Sequence, residues 1–534
     1  MPGRDVFREV LRLFLVCGIL ATAQPVRSQV IYADDTATGA DDGSSWCNAY
    51  NSLQDALKVA LESGGAITEI RVAVGVYKPD QGRQQTPGDR AATFRLINGV
   101  TITGGYAGCG ASDPDARDIA AYETTLNGDL SGNDVGERWD PSRYENSHHI
   151  VTGSGTVATA ILDGFTIAAG RADGDDPYDS GAGVYSASGS PTLVDCTFTG
   201  NWASEHGGGM YNTGSSSPTL TNCTFSSNSA DYGGGISNGD DSAATLVDCT
   251  FRGNTVGYYG GGMHSGESST PILTGCSFQE NAAYYNGGGV YCTDQSGPTL
   301  TNCIFAENTA MTGGAMFNTT TAVLILTNCT LAGNTARYGG GGIYNVDSDP
   351  TVVNCILRGN SNSGSTDEPA QIHNTSGATP AVDYCCIQGW TGSLGGDGNM
   401  GDDPLFVPGP AGCYYLSCAA AGQPADSSCI DAGSDTAANL NLGTMTTRSD
   451  EAIDAGVVDL GYHYSVTGKP LVMGDFNRSG DVDPLDFAHW ENCVTAPQPG
   501  GVSPCCCIFD FEHDRDVDLN DFAAFQRAFT GPQE

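Results

Sequence analysis

The sequence predicts an all-β solenoid, a parallel β-helix, followed by a small α-helical module. Three observations carry this. Seven cysteines recur every 26 or 27 residues between 196 and 355, a self-similar period. Glycine accounts for 74 of 534 residues while only 16% are charged, which suits turn-rich β structure rather than helices. A 12-residue acidic loop occurs twice after Lys469. A period of this length marks a unit that buries its apolar face only by stacking on its neighbours.

The repeat is defined by Cys196, Cys223, Cys249, Cys276, Cys303, Cys329 and Cys355. Two positions on stands Phe198, Phe225, Phe251, Phe278, Phe305, Leu331 or Leu357. Three further is always Asn: 201, 228, 254, 281, 308, 334 and 360. A glycine run ending in an apolar residue follows, as in Gly208-Gly209-Met210. Each coil therefore offers three short strands, Gly-Gly-apolar, Pro-Thr-Leu and Cys-x-Phe. Period 2 breaks between Leu220 and Cys223, so a corner is expected at Asn222 and its equivalents Asp195, Asp248, Gly275, Asn302, Asn328 and Asn354. These residue types tolerate the left-handed conformation that a corner requires. Coils stack about 4.8 Å apart, so equal positions form ladders. Phe and Cys ladders fill the core, and the Asn ladder exchanges amide hydrogen bonds between coils.

The ends depart from the repeat. Residues 52–63 carry helical spacing after a candidate N-cap, Ser52, and stop at Gly64-Gly65. Strands are expected at 70–74, 101–103, 149–151 and 165–167, with His148 and His149 pointing to opposite faces. Cys413, Cys418 and Cys429 are expected to staple the segment after the coils. Arg4, Arg8 and Arg12 precede an apolar run at 13–23 with Ala21-Thr22-Ala23 as a cleavage candidate, the pattern of an export signal. The divisions are 1–28 signal peptide, 29–180 N-terminal cap and irregular coils, 181–361 regular coils, 362–465 irregular coils and C-terminal cap, and 466–534 the small module. Twenty cysteines fit an oxidising, extracellular or cell-surface location. A net charge of -40 excludes nucleic acid as a partner and favours divalent cations. No segment beyond the signal is apolar enough to span a membrane.

The Gly-Gly-apolar and Phe-x-x-Asn pattern resembles the repeats of chlamydial polymorphic outer-membrane proteins. It is also similar to the right-handed parallel β-helix proteins of environmental bacteria, over roughly residues 29–465. This resemblance implies architecture. The translocator barrel of the chlamydial proteins has no counterpart in the sequence.

In the small module, Asp475, Asn477, Ser479, Asp481, Asp483 and Asp486 place oxygens at loop positions 1, 3, 5, 7, 9 and 12, with Gly480 at 6. Ca²⁺ takes six or more oxygen ligands, and the glycine permits the sharp turn between them. A second copy starts 35 residues later with Asp510, Glu512, Asp514, Asp516, Asp518 and Asp521, where Arg515 replaces the glycine. A helix carrying Phe522, Ala523, Phe525 and Phe529 is expected after it. Two such loop-helix repeats ending in Asp resemble a type I dockerin. The resemblance implies Ca²⁺ held by Asp475, Asn477, Ser479, Asp481 and Asp486, and by Asp510, Glu512, Asp514, Asp516 and Asp521, with a cohesin-like protein as partner. The run Cys505-Cys506-Cys507 departs from that family's pattern, and Cys493 is a candidate partner for one of its members.

Two function classes remain. A polysaccharide lyase of β-helix type needs an Arg or Lys base beside Asp-bound Ca²⁺, and a glycoside hydrolase needs a carboxylate pair. Lys is absent between Lys78 and Lys469, and Arg252 and Arg358 lie four coils apart. Asp173, Asp175, Asp176 and Asp179 form an acidic loop that is a calcium candidate. The other class is a non-catalytic binding protein for a polysaccharide or cell-surface glycan. Its candidate contact stripe is Tyr185, Tyr211, Ser237, His264, Tyr291, Phe317 and Tyr344, with a second stripe of His206, Tyr232, Tyr259, Tyr285 and Tyr338. Exposed aromatic ladders stack on sugar rings, and this favours the binding class.

Overall fold

The computed structural model describes residues 29–135, 140–409, 412–466, 482 and 519–528. The coils form a parallel β-helix. Among the described residues its four parallel sheets have 12, 11, 10 and 8 strands. One coil runs through Met210–Thr213, Thr219–Thr221, Thr224–Ser226 and Ser229–Tyr232, then repeats at Ile236–Asn238. The first three strands are those expected. The fourth corrects the expectation of three: it follows each ladder asparagine and includes Thr255–Tyr259, Ala282–Ala283 and Thr309–Thr312. The Pro-Thr-Leu sheet begins at Gln29–Ala33 and ends at Ala381–Asp383, so the stack continues on both sides of the regular coils.

The expected corners are left-handed, with φ between 50° and 55° at Asp195, Asn222, Asp248, Asn302, Asn328 and Asn354, and 67° at Gly275. A second left-handed corner precedes each ladder asparagine, as at Gly200, Ser227, Gly253 and Glu280. The asparagine that follows repairs the hydrogen bonding broken by this turn. Asn254 Nδ2 donates to the Phe225 carbonyl at 2.8 Å and to Asn281 Oδ1 at 2.9 Å. Its own Oδ1 accepts from the backbone N–H and the amide of Asn228. The pattern repeats from Asn201 to Asn360.

Phe198, Phe225, Phe251, Phe278 and Phe305 stack with ring centroids 4.3–4.9 Å apart. The Phe225, Phe251, Phe278 and Phe305 rings each pack on the second glycine of a Gly-Gly pair. A Cβ on Gly262 would stand 2.7 Å from the Phe278 ring and 2.8 Å from the Gly289 carbonyl oxygen. In the coil where that glycine becomes Ala315, the ring position becomes Leu331. The ladder thiols are buried and free. Cys303, Cys329 and Cys355 each donate to a carbonyl two residues back, and burial pushes all three pKa values up. Cys385 continues the ladder, accepting from the Cys355 backbone N–H.

The helix α1, Leu53–Glu62, forms where expected, with the Ser52 side chain accepting from Gln54 N–H. Its apolar face covers the first strands, closing the open end. A disulfide, Cys47–Cys109, ties this cap together and was not anticipated. At the far end, residues 403–465 do more than cap. They return along the outside of the coils and bond to the corner asparagines. Asn302 Nδ2 donates to the His463 carbonyl at 2.8 Å, Asn302 Oδ1 accepts from His463 N–H at 2.6 Å, and Asn328 Nδ2 donates to the Asp459 carbonyl at 3.2 Å. Buried His463 also pairs with Asp454 at 2.8 Å. The expected staple is corrected in part. Cys413 is disulfide-bonded, but Cys418 and Cys429 are free thiols. Cys418 instead accepts from Arg448 at 3.1 Å, and Cys429 neighbours Cys386.

The expected export signal and the first acidic loop, Val482 excepted, lie outside the described residues, as do Asp510, Glu512, Asp514 and Asp516 of the second. The helix expected after that loop is present as Leu519–Ala528, with Asp521 and Phe525 buried. No described helix is long and apolar enough to cross a membrane.

Candidate functional site

The outer face of the Gly-Gly sheet meets the fourth sheet at a shallow cleft of about 370 Å3 that spans four coils. Its floor holds Tyr211, His264 and Tyr291 from the first stripe, with His206, Tyr232 and Tyr259 from the second. These rings come from equal positions in successive coils, and the 4.8 Å spacing leaves them no option but to stack. Tyr259 lies on Tyr291 at 4.5 Å, His206 on Tyr232 at 5.0 Å and on Tyr211 at 5.1 Å, and His264 on Tyr291 at 5.6 Å.

The first stripe is less exposed than a simple alternation predicts. Tyr291 and Phe317 are each only 8% exposed, and Ser237 is buried. Tyr185, Tyr211, His264 and Tyr344 are half-buried. The stack continues through Phe317 and Tyr344 to His373, and at the other end Tyr185 joins Tyr211. The second stripe leans over the first and takes the outer position. On this face Tyr338 and Tyr284 are the most open rings, at 62% and 63% exposed, and Tyr258 and Tyr285 are exposed as well.

Ser237 Oγ sits between His206 Nδ1 at 3.4 Å and His264 Nδ1 at 3.2 Å. The hydroxyl has one proton and two lone pairs, so it can donate to one ring and accept from the other. Burial pushes His206 down and His264 down to about 3. Burial also raises Tyr211 to about 12 and raises Tyr232. The floor is therefore uncharged at neutral pH. The rim is acidic: Glu205, Glu267 and Asp294 line it, and no Lys or Arg does. Asp240 donates its backbone N–H to Glu267 at 3.1 Å, and burial, with the Asp240 carboxyl group nearby, raises Glu267. Thr213 holds Asp240 low.

In the regular coils, exposed Arg337 lies over the Tyr338 ring at 5.2 Å, and the other two arginines are ion-paired. Arg252 pairs with Glu280 at 2.9 Å and Arg358 with Asp403 at 2.6 Å. Asp173, a calcium candidate by sequence, is bound by Arg90 and, at 2.7 Å, by Arg171, which hold its carboxyl low. His148 and His149 precede their strand, Val151–Thr152, so alternation does not apply; the His149 ring stacks on Tyr178 and the His148 ring meets it tilted. The cleft histidine His206 stood in the second stripe, but the Ser237 bridge required the coil register. Glu205, Asp240 and Glu267 carried no repeat signal.

The family model described as "Right handed beta helix region" matches residues 180–362. No curated protein matches. Among solved structures, the chain is similar to a crystal structure of pectate lyase Pel9A, at 12% identity and a TM-score of 0.36, over 83% of this chain and 91% of that one. With the sheet topology, the family match makes this chain's coils a right-handed parallel β-helix.

Proposed function

We propose that this is a secreted or cell-surface protein whose β-helix binds glycans, joined to a calcium-dependent, dockerin-like assembly module. The observation that carries the reading is the cleft between the two aromatic ladders, with an uncharged floor and an acidic rim. Aromatic faces stack on the apolar faces of sugar rings, while Ser, Asn and carboxylate oxygens take their hydroxyls. The charge of the rim selects the ligand class. A polyuronate would bring carboxylates against Glu205, Glu267 and Asp294, with no cation among the lining residues to receive them. Neutral or amino-bearing oligosaccharides fit. A glycan array that includes both classes tests this. Neutral or amino sugars are expected to bind, weakened by Tyr232→Ala and Tyr259→Ala. Release of soluble product from pectin or alginate would favour a lyase or hydrolase instead.

For the C-terminal module, the hard-oxygen donor sets at 475–486 and 510–521 support Ca²⁺ rather than a softer metal. The helix Leu519–Ala528, with Asp521 buried at its start, is the element that follows such a loop. A cohesin-like protein is the partner this reading implies.

A further inference from the structure

A cluster of carboxylates lies in the N-terminal coils, far in sequence from the acidic loops after Lys469. Between strands Thr124–Asn127 and Val151–Thr152 the chain leaves the coil as a loop. Its base is closed by Ser147 N–H donating to the Gly128 carbonyl at 2.8 Å. Arg171 N–H then donates to the Ser147 carbonyl at 2.8 Å, which sets the loop base against Arg171–Ala172, the first strand of the fourth sheet. Ser147 thus pairs with an edge strand that would otherwise present an unpaired backbone N–H there.

Within this loop Asp129, Asp134 and Glu145 each place an oxygen within 4.8 Å of the others. Oxygens on opposite sides of a Ca²⁺ lie about twice the 2.3–2.6 Å bond length apart, roughly 4.6–5.2 Å, so the three fit one coordination sphere. The observation beyond the carboxylates is Asn146, whose side chain is 1% exposed. Its Nδ2 donates to Asp134 Oδ2 at 3.0 Å and to the Ala169 carbonyl at 2.8 Å, while its Oδ1 is buried with no hydrogen-bond partner. Two cluster oxygens share this condition. Asp134 Oδ1 and Glu145 Oε2 are buried and without a donor, although Asp134 Oδ2 meets Arg143 at 3.3 Å and Glu145 Oε1 accepts from Ser131 N–H at 3.3 Å. Asp129 is held in place by the N–H groups of Gly132, Asn133 and Asp134. A buried oxygen with no donor costs about 1–3 kcal/mol, and three of them from different residues share one loop.

We propose that Asp129, Asp134, Glu145 and the Asn146 carbonyl oxygen bind one Ca²⁺, which ties residues 129–134 to residues 145–146. Water completes the shell. Mg²⁺ demands tighter octahedral geometry and gives up its water reluctantly, so it fits this cluster less well.

Limited trypsin digestion of the full chain, read by mass spectrometry at Arg143, tests the site. Cleavage is expected to slow several-fold in Ca²⁺ relative to chelator, with little effect of Mg²⁺. Glu145→Gln and Asp134→Asn should abolish the protection, and Asp475→Ala with Asp510→Ala should leave it intact. Equal cleavage of the native chain with and without Ca²⁺ would overturn the proposal, independently of any variant's folding. So would protection that survives Glu145→Gln and Asp134→Asn together.

Discussion

Asn254 illustrates how much of this fold rests on single side chains. Its amide satisfies the Phe225 carbonyl in the coil before, and its Oδ1 satisfies the Asn228 backbone N–H there. Asn254→Ala strands both buried groups, and chemical denaturation is expected to show a loss of about 3 kcal/mol. The ladder was legible in the sequence because one residue type recurs at one register. Gly262 was legible only as part of a glycine run. Its reason is the Phe278 ring, which the chain brings back 16 residues later. Gly262→Ala is expected to cost about 1–3 kcal/mol by overpacking. Adding Phe278→Leu should recover part of that, as Ala315 and Leu331 do in their own coil; a double variant no better than the sum of the singles would refute the pairing. The histidines set a pH dependence. Burial lowers His149 to about 4 and His264 to about 3. The unfolded chain then binds more protons than the native one below about pH 6.5, so stability falls as pH drops through that value toward the folded pKa values. Thermal melts between pH 7 and 5 should show this decline, and it should flatten in His149→Asn with His264→Asn.

At the scale of elements, three strands per coil were readable and the fourth was not. Its members, such as Ser229–Tyr232, Thr255–Tyr259 and Ala282–Ala283, share no apolar run or alternation. The signal that would have found them is slight. Two residues after each ladder asparagine stands a small residue, as at Ala203, Ala230, Val256, Ala283 and Ala336, all buried. The return of residues 403–465 along the coils was invisible for another reason, since it depends on contacts more than 100 residues apart. It gives corner asparagines a second task. Asn302→Gly keeps the left-handed turn but removes both bonds to His463, so hydrogen exchange in residues 460–464 should quicken by an amount equivalent to about 1–3 kcal/mol. Asp195→Gly, at a corner where no bond to this segment forms, should leave those amides unchanged.

For the whole molecule, charge and architecture point the same way. A chain with a net charge of -40 carries its cleft on a face whose stacked rings are uncharged and whose rim is acidic. The architecture and the aromatic stripes could be read from the repeat. The cleft could not, because it depends on how far the second stripe leans over the first and on loop carboxylates outside the repeat. The most direct test of the binding reading is a calorimetric titration of the full chain with a neutral oligosaccharide and, in parallel, with an oligouronate of equal length. The account predicts binding of the neutral ligand alone, weakened about tenfold by Tyr232→Ala with Tyr259→Ala. Preference for the oligouronate, or neutral binding untouched by losing both tyrosines, would contradict it.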